Sequence, residues 1–132
     1  MGFFKRLFGI CGTRQPADPG SWSFADGKVA IELDRMPELA KPGGAVRLEG
    51  AGMTKRVLVF RGDDGQFHAM ENRCSHGHRR LDPVAGQGTV RCCSIGQSVF
   101  DFEGNRVSGA AKDGISPLKV ETEGQTLVVG LD

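Results

Sequence analysis

The sequence predicts an all-β domain, an antiparallel sandwich or barrel, on three observations. Apolar and polar residues alternate over short runs, turn-forming residues separate those runs at close intervals, and only one brief piece, around Pro37 to Lys41, reads as helical. Twenty glycines in 132 residues, scattered without a collagen-like period, fit many short strands joined by tight turns. A chain of this length makes one domain with a tail and is too short for two of ordinary size.

Residues 12 to 22, with Gly12, Pro16, Pro19 and Gly20, read as a linker, and the fold is expected to begin near Trp22. This divides the chain into an N-terminal amphipathic stretch and linker, residues 1–24, and a domain, residues 25–132. Lys28-Val29-Ala30-Ile31-Glu32-Leu33 alternates, and Ala45-Val46-Arg47-Leu48-Glu49 does so again after the Pro42-Gly43-Gly44 turn. Val57-Leu58-Val59-Phe60 is apolar at every position, as a strand buried on both faces would be, and Gly62-Asp63-Asp64-Gly65 returns the chain through Gln66-Phe67-His68-Ala69-Met70 as a hairpin. Thr89-Val90-Arg91, Ser98 to Phe102, Leu118 to Glu121 and Thr126 to Val129 supply the remaining strands, with turns at Glu103-Gly104-Asn105 and Glu123-Gly124. There is no internal repeat, low-complexity tract or heptad.

Seventeen basic against sixteen acidic residues leave a formal charge of +1, without the broad positive field on which nucleic-acid binding relies, so no nucleic-acid partner is expected. Residues 1–10 form a short apolar run broken by Lys5 and Arg6 before it reaches the length of a signal peptide or a membrane span. Arg6 also stands where a myristoylation signal has Ser or Thr. A cytoplasmic protein is expected, with residues 1–10 either a terminus frayed or packed on the domain, or a contact with a membrane surface or partner subunit.

Chemistry concentrates in two loops. The first reads Arg73-Cys74-Ser75-His76-Gly77-His78-Arg79-Arg80-Leu81-Asp82-Pro83, and the second Arg91-Cys92-Cys93-Ser94-Ile95-Gly96-Gln97-Ser98. Three of the four cysteines and two of the three histidines lie there, which points to a metal site more than to a disulfide framework. Thiolate and neutral imidazole are the protein ligands suited to iron–sulfur clusters and to zinc.

On these residues the chain resembles the Rieske ferredoxin family, whose pattern is Cys-x-His, a gap of about sixteen residues, Cys-x-x-His, and then Gly-x-x-Phe/Tyr-Asp. Cys74-Ser75-His76 matches the first half, Cys93 follows His76 after a gap of sixteen residues, and Phe100-Asp101 fall where the family has its aromatic and acid. The resemblance covers roughly residues 25 to 130 and implies a Rieske-like sandwich or barrel with a small two-loop lobe that binds a [2Fe-2S] cluster. It further implies a small electron-transfer protein, without substrate chemistry of its own, that serves a protein redox partner or larger complex.

Aligned on Cys93, the family's second histidine falls at Gly96, and no histidine follows His78. His78 stands where the family usually has glycine, the second-loop cysteine is doubled as Cys92-Cys93, and the loop-to-loop disulfide of some members would fall at Arg79 and Ile95. The tyrosine hydroxyl is replaced by Phe100. Three readings follow. Cys74, His76, Cys93 and His78 hold a rebuilt cluster, since residues i and i+2 of an extended loop project to the same side, with Cys92 an alternative fourth ligand. Or the site is a cluster-free accessory module of a redox complex, with Cys74 and Cys93 buried thiols or a disulfide. Or Cys74, His76 or His78, Cys92 and Cys93 hold structural zinc.

Arg73, Arg79, Arg80 and Arg91 rim the loops and could steer an acidic partner, although each alone reads as a solvated arginine paired with a residue such as Asp82. His68 reads as a surface or packing residue, Met70 and Trp22 as core, and Cys11 as a thiol remote from the loops.

Overall fold

The computed structural model describes residues 12–75, 79–84, 86–93, 98–109, 111 and 113–131. Eleven strands are present among them: β1 Trp22–Ala25, β2 Lys28–Glu32, β3 Ala45–Leu48, β4 Val57–Arg61, β5 Phe67–Glu71, β6 Leu81–Val84, β7 Thr89–Cys92, β8 Val99–Asp101, β9 Arg106–Ser108, β10 Pro117–Glu123 and β11 Thr126–Gly130. The expected helical piece is a 3-10 turn, Pro37–Leu39, and no described residue is α-helical.

Every strand pairing is antiparallel. One sheet has the order β1-β2-β11-β10-β5-β4-β3, and a smaller one the order β6-β7-β8-β9. Val29 and Ile31 of β2 share a buried cluster with Val46 and Leu48 of β3, although these strands stand near opposite ends of the large sheet, so the sheet curls round its own core. Strand β4 explains its unbroken apolar run. Val57 and Val59 face that cluster, whereas Leu58 and Phe60 turn to a second one with Leu81, Val90, Cys92 and Phe100 of the small sheet. With both faces covered, β4 has no solvent side to make polar. Burial of each such side chain stabilises the fold by about 1.5–3 kcal/mol.

Two elements differ from the expectation for physical reasons. Strand β1 pairs with β2 through an Asp26-Gly27 turn in which both residues have positive φ, 53° and 75°, the backbone that a two-residue hairpin needs. Strand β6 contains Pro83, which removes an amide from a ladder, but β6 is an edge of its sheet, where such a loss is tolerated. Residues 12–17 lie against the domain. The Gly12 and Thr13 amides donate to the Asp82 carboxylate at 2.7 and 2.9 Å, and the Ala17 amide to Glu38.

Candidate functional site

The two loops meet because of the β6–β7 register. The first loop joins β5 to β6 and the second joins β7 to β8, and Leu81 at the start of β6 stands opposite Cys92 at the end of β7. The return of the first loop and the departure of the second are therefore neighbours on one end of the small sheet.

Backbone hydrogen bonds fix the cysteines there. The Cys74 amide donates to the Arg79 carbonyl at 2.7 Å, and the Cys93 amide to the Arg80 carbonyl at 3.0 Å. Cys74 and Cys93 thus bond consecutive carbonyls of the Arg79-Arg80 segment. The Cys92 amide closes the second loop on the Ser98 carbonyl at 2.8 Å. All three cysteines have no exposed surface, and Cys74 and Cys92 belong to the cluster shared by the small sheet and β4.

Their oxidation states differ. Cys93 is disulfide-bonded, while Cys74 and Cys92 are thiols outside any disulfide, so neither of them is its partner. His76 and His78 lie outside the described residues, as does position 96, and so does Cys11 with the expectation attached to it. Among the described residues no three His, Cys, Asp or Glu side chains form a group able to hold a metal ion.

Three polar residues that sequence reasoning did not single out hold this region together. Asn72, 1% exposed, accepts the Leu81 amide on Oδ1 at 2.7 Å and so ties the two ends of the first loop. Its Nδ2 has no hydrogen-bond partner among the described residues, and a buried unsatisfied amide costs about 1–3 kcal/mol. Ser98, also 1% exposed, accepts the Ala111 amide on Oγ at 2.8 Å, which pins the segment after β9 to the second loop. The Ser75 hydroxyl donates to the Asp113 carbonyl at 2.6 Å and ties the first loop to that segment. No sequence signal marks them, since serine and asparagine are ordinary residues of turns and loops.

The remaining residues of the pattern are structural. Phe100 is fully buried, and the Asp101 carboxylate accepts the Glu103 and Asn105 amides, shaping the turn before β9. His68 is a packing residue, stacked on Phe60 with ring centroids 5.3 Å apart and bonded to Asp64. The Gln66 amide, followed by the His68 side chain, holds the Asp64 carboxyl below its ordinary range. Met70 is core as expected, and Trp22 is half-buried against the larger cluster. Asp82 receives backbone amides from the N-terminal segment, and Arg91 stands opposite it across β6–β7. No helix among the described residues is long and apolar enough to cross a membrane.

The model of the Rieske [2Fe-2S] domain family matches residues 33–119, a span that contains both loops. No curated protein matches the chain. Among solved structures, the ferredoxin of carbazole 1,9a-dioxygenase from Nocardioides aromaticivorans superposes with a TM-score of 0.63 at 22% identity, over 78% of this chain and 95% of that one. The quaternary ammonium Rieske monooxygenase CntA gives 0.59 at 20% identity, over 85% of this chain but only 32% of the monooxygenase. The cyanobacterial plasma membrane Rieske protein from Synechocystis gives 0.55 at 20%, over 65% of this chain and 85% of that one. At these identities the likeness is one of fold.

Proposed function

Because the chain belongs to the Rieske [2Fe-2S] domain family, we propose that it is a small electron-transfer component of a larger redox system, with a [2Fe-2S] cluster held by an altered ligand set. The observation that carries this reading is the retained two-loop scaffold, with the Cys74 and Cys93 amides bonded to the consecutive carbonyls of Arg79 and Arg80 inside the family match.

The family's own four positions do not fit the cluster as they stand. The Cys93 sulfur is taken up in a disulfide, and Gly96 offers no donor. The donors of the chain nevertheless match the cluster in kind: Cys74 and Cys92 are buried thiols, Cys93 becomes a third on reduction, and His76 and His78 are two imidazoles two residues apart. The altered set is Cys74, Cys93, His76 and His78, with Cys92 the alternative fourth ligand in place of an imidazole. When bound, the cluster supplies one-electron chemistry at a potential that imidazole ligation raises above that of all-cysteine clusters. No substrate is transformed by the chain itself. The proposed setting is cytoplasmic, with residues 1–10 meeting a membrane surface or a subunit.

The test is iron, sulfide and zinc content of anaerobically purified protein, with and without prior thiol reduction. The expected result is iron and sulfide in equal amounts, about two of each per chain, after reduction, with loss in His78→Ala. Absence of iron and sulfide from reduced, reconstituted protein refutes the reading. A second reading, a cluster-free accessory module, is favoured specifically by the disulfide at Cys93 together with Gly96, and metal-free protein that still folds would support it. Zinc without sulfide would instead mark a structural zinc site.

A further inference from the structure

Beside the first loop the structure gathers cations that the sequence scatters over thirty residues. Glu49 is gripped from two sides, by Arg47 at 3.0 Å and Arg80 at 2.7 Å. The half-buried Arg56 donates from Nε to the Asn72 carbonyl at the base of the loop. Desolvation is the first cause that lowers the Arg56 pKa, and the nearby charges of Arg80 and Arg73 follow, so both act on the Arg56 guanidinium. A cavity of about 310 Å³ is lined by Thr54, Lys55, Arg56, Glu71 and Arg73, and an adjoining one of about 240 Å³ shares Glu71 and Arg73 and reaches Ser75 and Ser116. Among the described residues, five cations, Arg47, Lys55, Arg56, Arg73 and Arg80, stand with three carboxylate residues, Glu49, Glu71 and Asp113, the last bordering the second cavity through Ser75, a local surplus of two on a chain whose formal charge is +1. Arg91 lines a separate hollow with Asp82, Gly12 and Thr13.

We propose that this face, formed by the β3–β4 connection, the start of β4 and the base of the first loop, is the docking surface for an acidic protein partner. The inference rests on the redox-component reading and names the partner's chemistry. Like charges crowded in a concave surface repel one another, and a carboxylate-bearing surface relieves that repulsion while the hydroxyls of Thr54 and Ser116 offer it hydrogen bonds. Interleaved Glu49 and Glu71 argue against a nucleic acid, whose unbroken phosphate charge would meet both carboxylates. The position matters because the patch abuts Cys74, so a partner seated on it lies against the loop that offers the ligands.

The probe is poly-L-glutamate, titrated at low ionic strength into isotope-labelled full-length protein and followed by amide chemical shifts. The expected result is a set of shifts confined to residues 47–56, 71–75 and 80, fading with added salt, since exposed charges are screened over about 8 Å at physiological ionic strength. Arg73 is exposed and outside the core, so Arg73→Glu leaves the fold intact and should weaken binding about tenfold, an attraction lost and a repulsion of similar size added. Lys119→Glu, the same charge change at an exposed position of β10, should change it less than about twofold. Shifts spread over the whole surface, equal weakening by the two variants, or tighter binding of heparin than of polyglutamate would each overturn the proposal. Iron-free protein is measured alongside iron-loaded protein: binding that survives in protein lacking iron supports the docking face even where the cluster reading fails.

Discussion

Removing one hydroxyl tests whether the second loop is held as the structure shows. Ser98→Ala deletes only Oγ, so the change opens almost no cavity, and its whole effect falls on the Ala111 amide that Oγ accepts at 2.8 Å. Ser98 and Ala111 are each 1% exposed, so water cannot replace the lost acceptor, and a buried donor left unsatisfied costs about 1–3 kcal/mol. Unfolding entropy near 2.1 cal/mol/K per residue gives roughly 280 cal/mol/K for this chain, so about 1 kcal/mol corresponds to roughly 3.6 °C and the variant should melt about 4–11 °C lower. Urea unfolding should show a lower midpoint at an unchanged slope, and the Ala111 amide should exchange faster with deuterated water. Ser108→Ala, at an exposed position of β9, is the control and should stay within about 0.5 kcal/mol. A Ser98→Ala protein as stable as the parent, with Ala111 exchanging at the parent rate, would refute the assigned role of this bond.

Leu81→Ala removes a fully buried side chain where β6 meets Cys92 and the second cluster, and should cost about 2–5 kcal/mol in denaturant unfolding. A Cβ at Gly104 would lie 2.0 Å from the Ile115 carbonyl oxygen, on a backbone with φ of +88°. Gly104→Ala should therefore cost about 2–5 kcal/mol, whereas Gly124→Ala, with φ of +62° and open space around it, should cost only about 1 kcal/mol. The Asp64 carboxyl titrates below its ordinary range because the folded state favours its ionised form, chiefly through the Gln66 amide and then through His68. That contribution is present above the unfolded pKa, about 3.9, and is lost as pH falls through the lower folded value. Asp64→Asn should flatten the acid limb of a stability-against-pH curve, and an unchanged limb would contradict the assignment.

Eight of the eleven strands were legible in the sequence, because alternation, the apolar β4 run and glycine turns all report burial that is local along the chain. The three others show what local pattern misses. Trp22-Ser23-Phe24-Ala25 is too short to declare a period, and its Asp26-Gly27 turn carried the signal instead. Leu81-Asp82-Pro83-Val84 looks like loop until its place at a sheet edge is known, and Arg106–Ser108 is exposed at every position, so it has no buried face to mark it. The loops themselves were legible as a chemical cluster, but their fastening was not. The bonds from Asn72 to Leu81, Ser75 to Asp113 and Ser98 to Ala111 span 9, 38 and 13 residues, and no periodicity encodes such pairs. Nor does spacing reveal that Cys93, and not Cys92, is the disulfide-bonded member of the doubled cysteine.

The described contacts that hold both loops run through backbone amides and carbonyls and the side chains of Asn72, Ser75 and Ser98. The Cys93 disulfide adds a covalent fastening. Hydrogen bonding, burial and that disulfide thus hold the described parts of both loops, while the glycine at position 96 leaves out the family's second imidazole donor. Family membership stands apart from the cofactor in this chain: on the proposed ligand set, cluster binding would depend on whether Cys93 is reduced and on how His76 and His78 are used. Iron and sulfide content should accordingly respond to thiol reduction and to His78→Ala, with the small sheet's amide exchange left unchanged. If His78→Ala unfolded the sheet as well as emptying the site, the separation argued from these hydrogen bonds would be wrong.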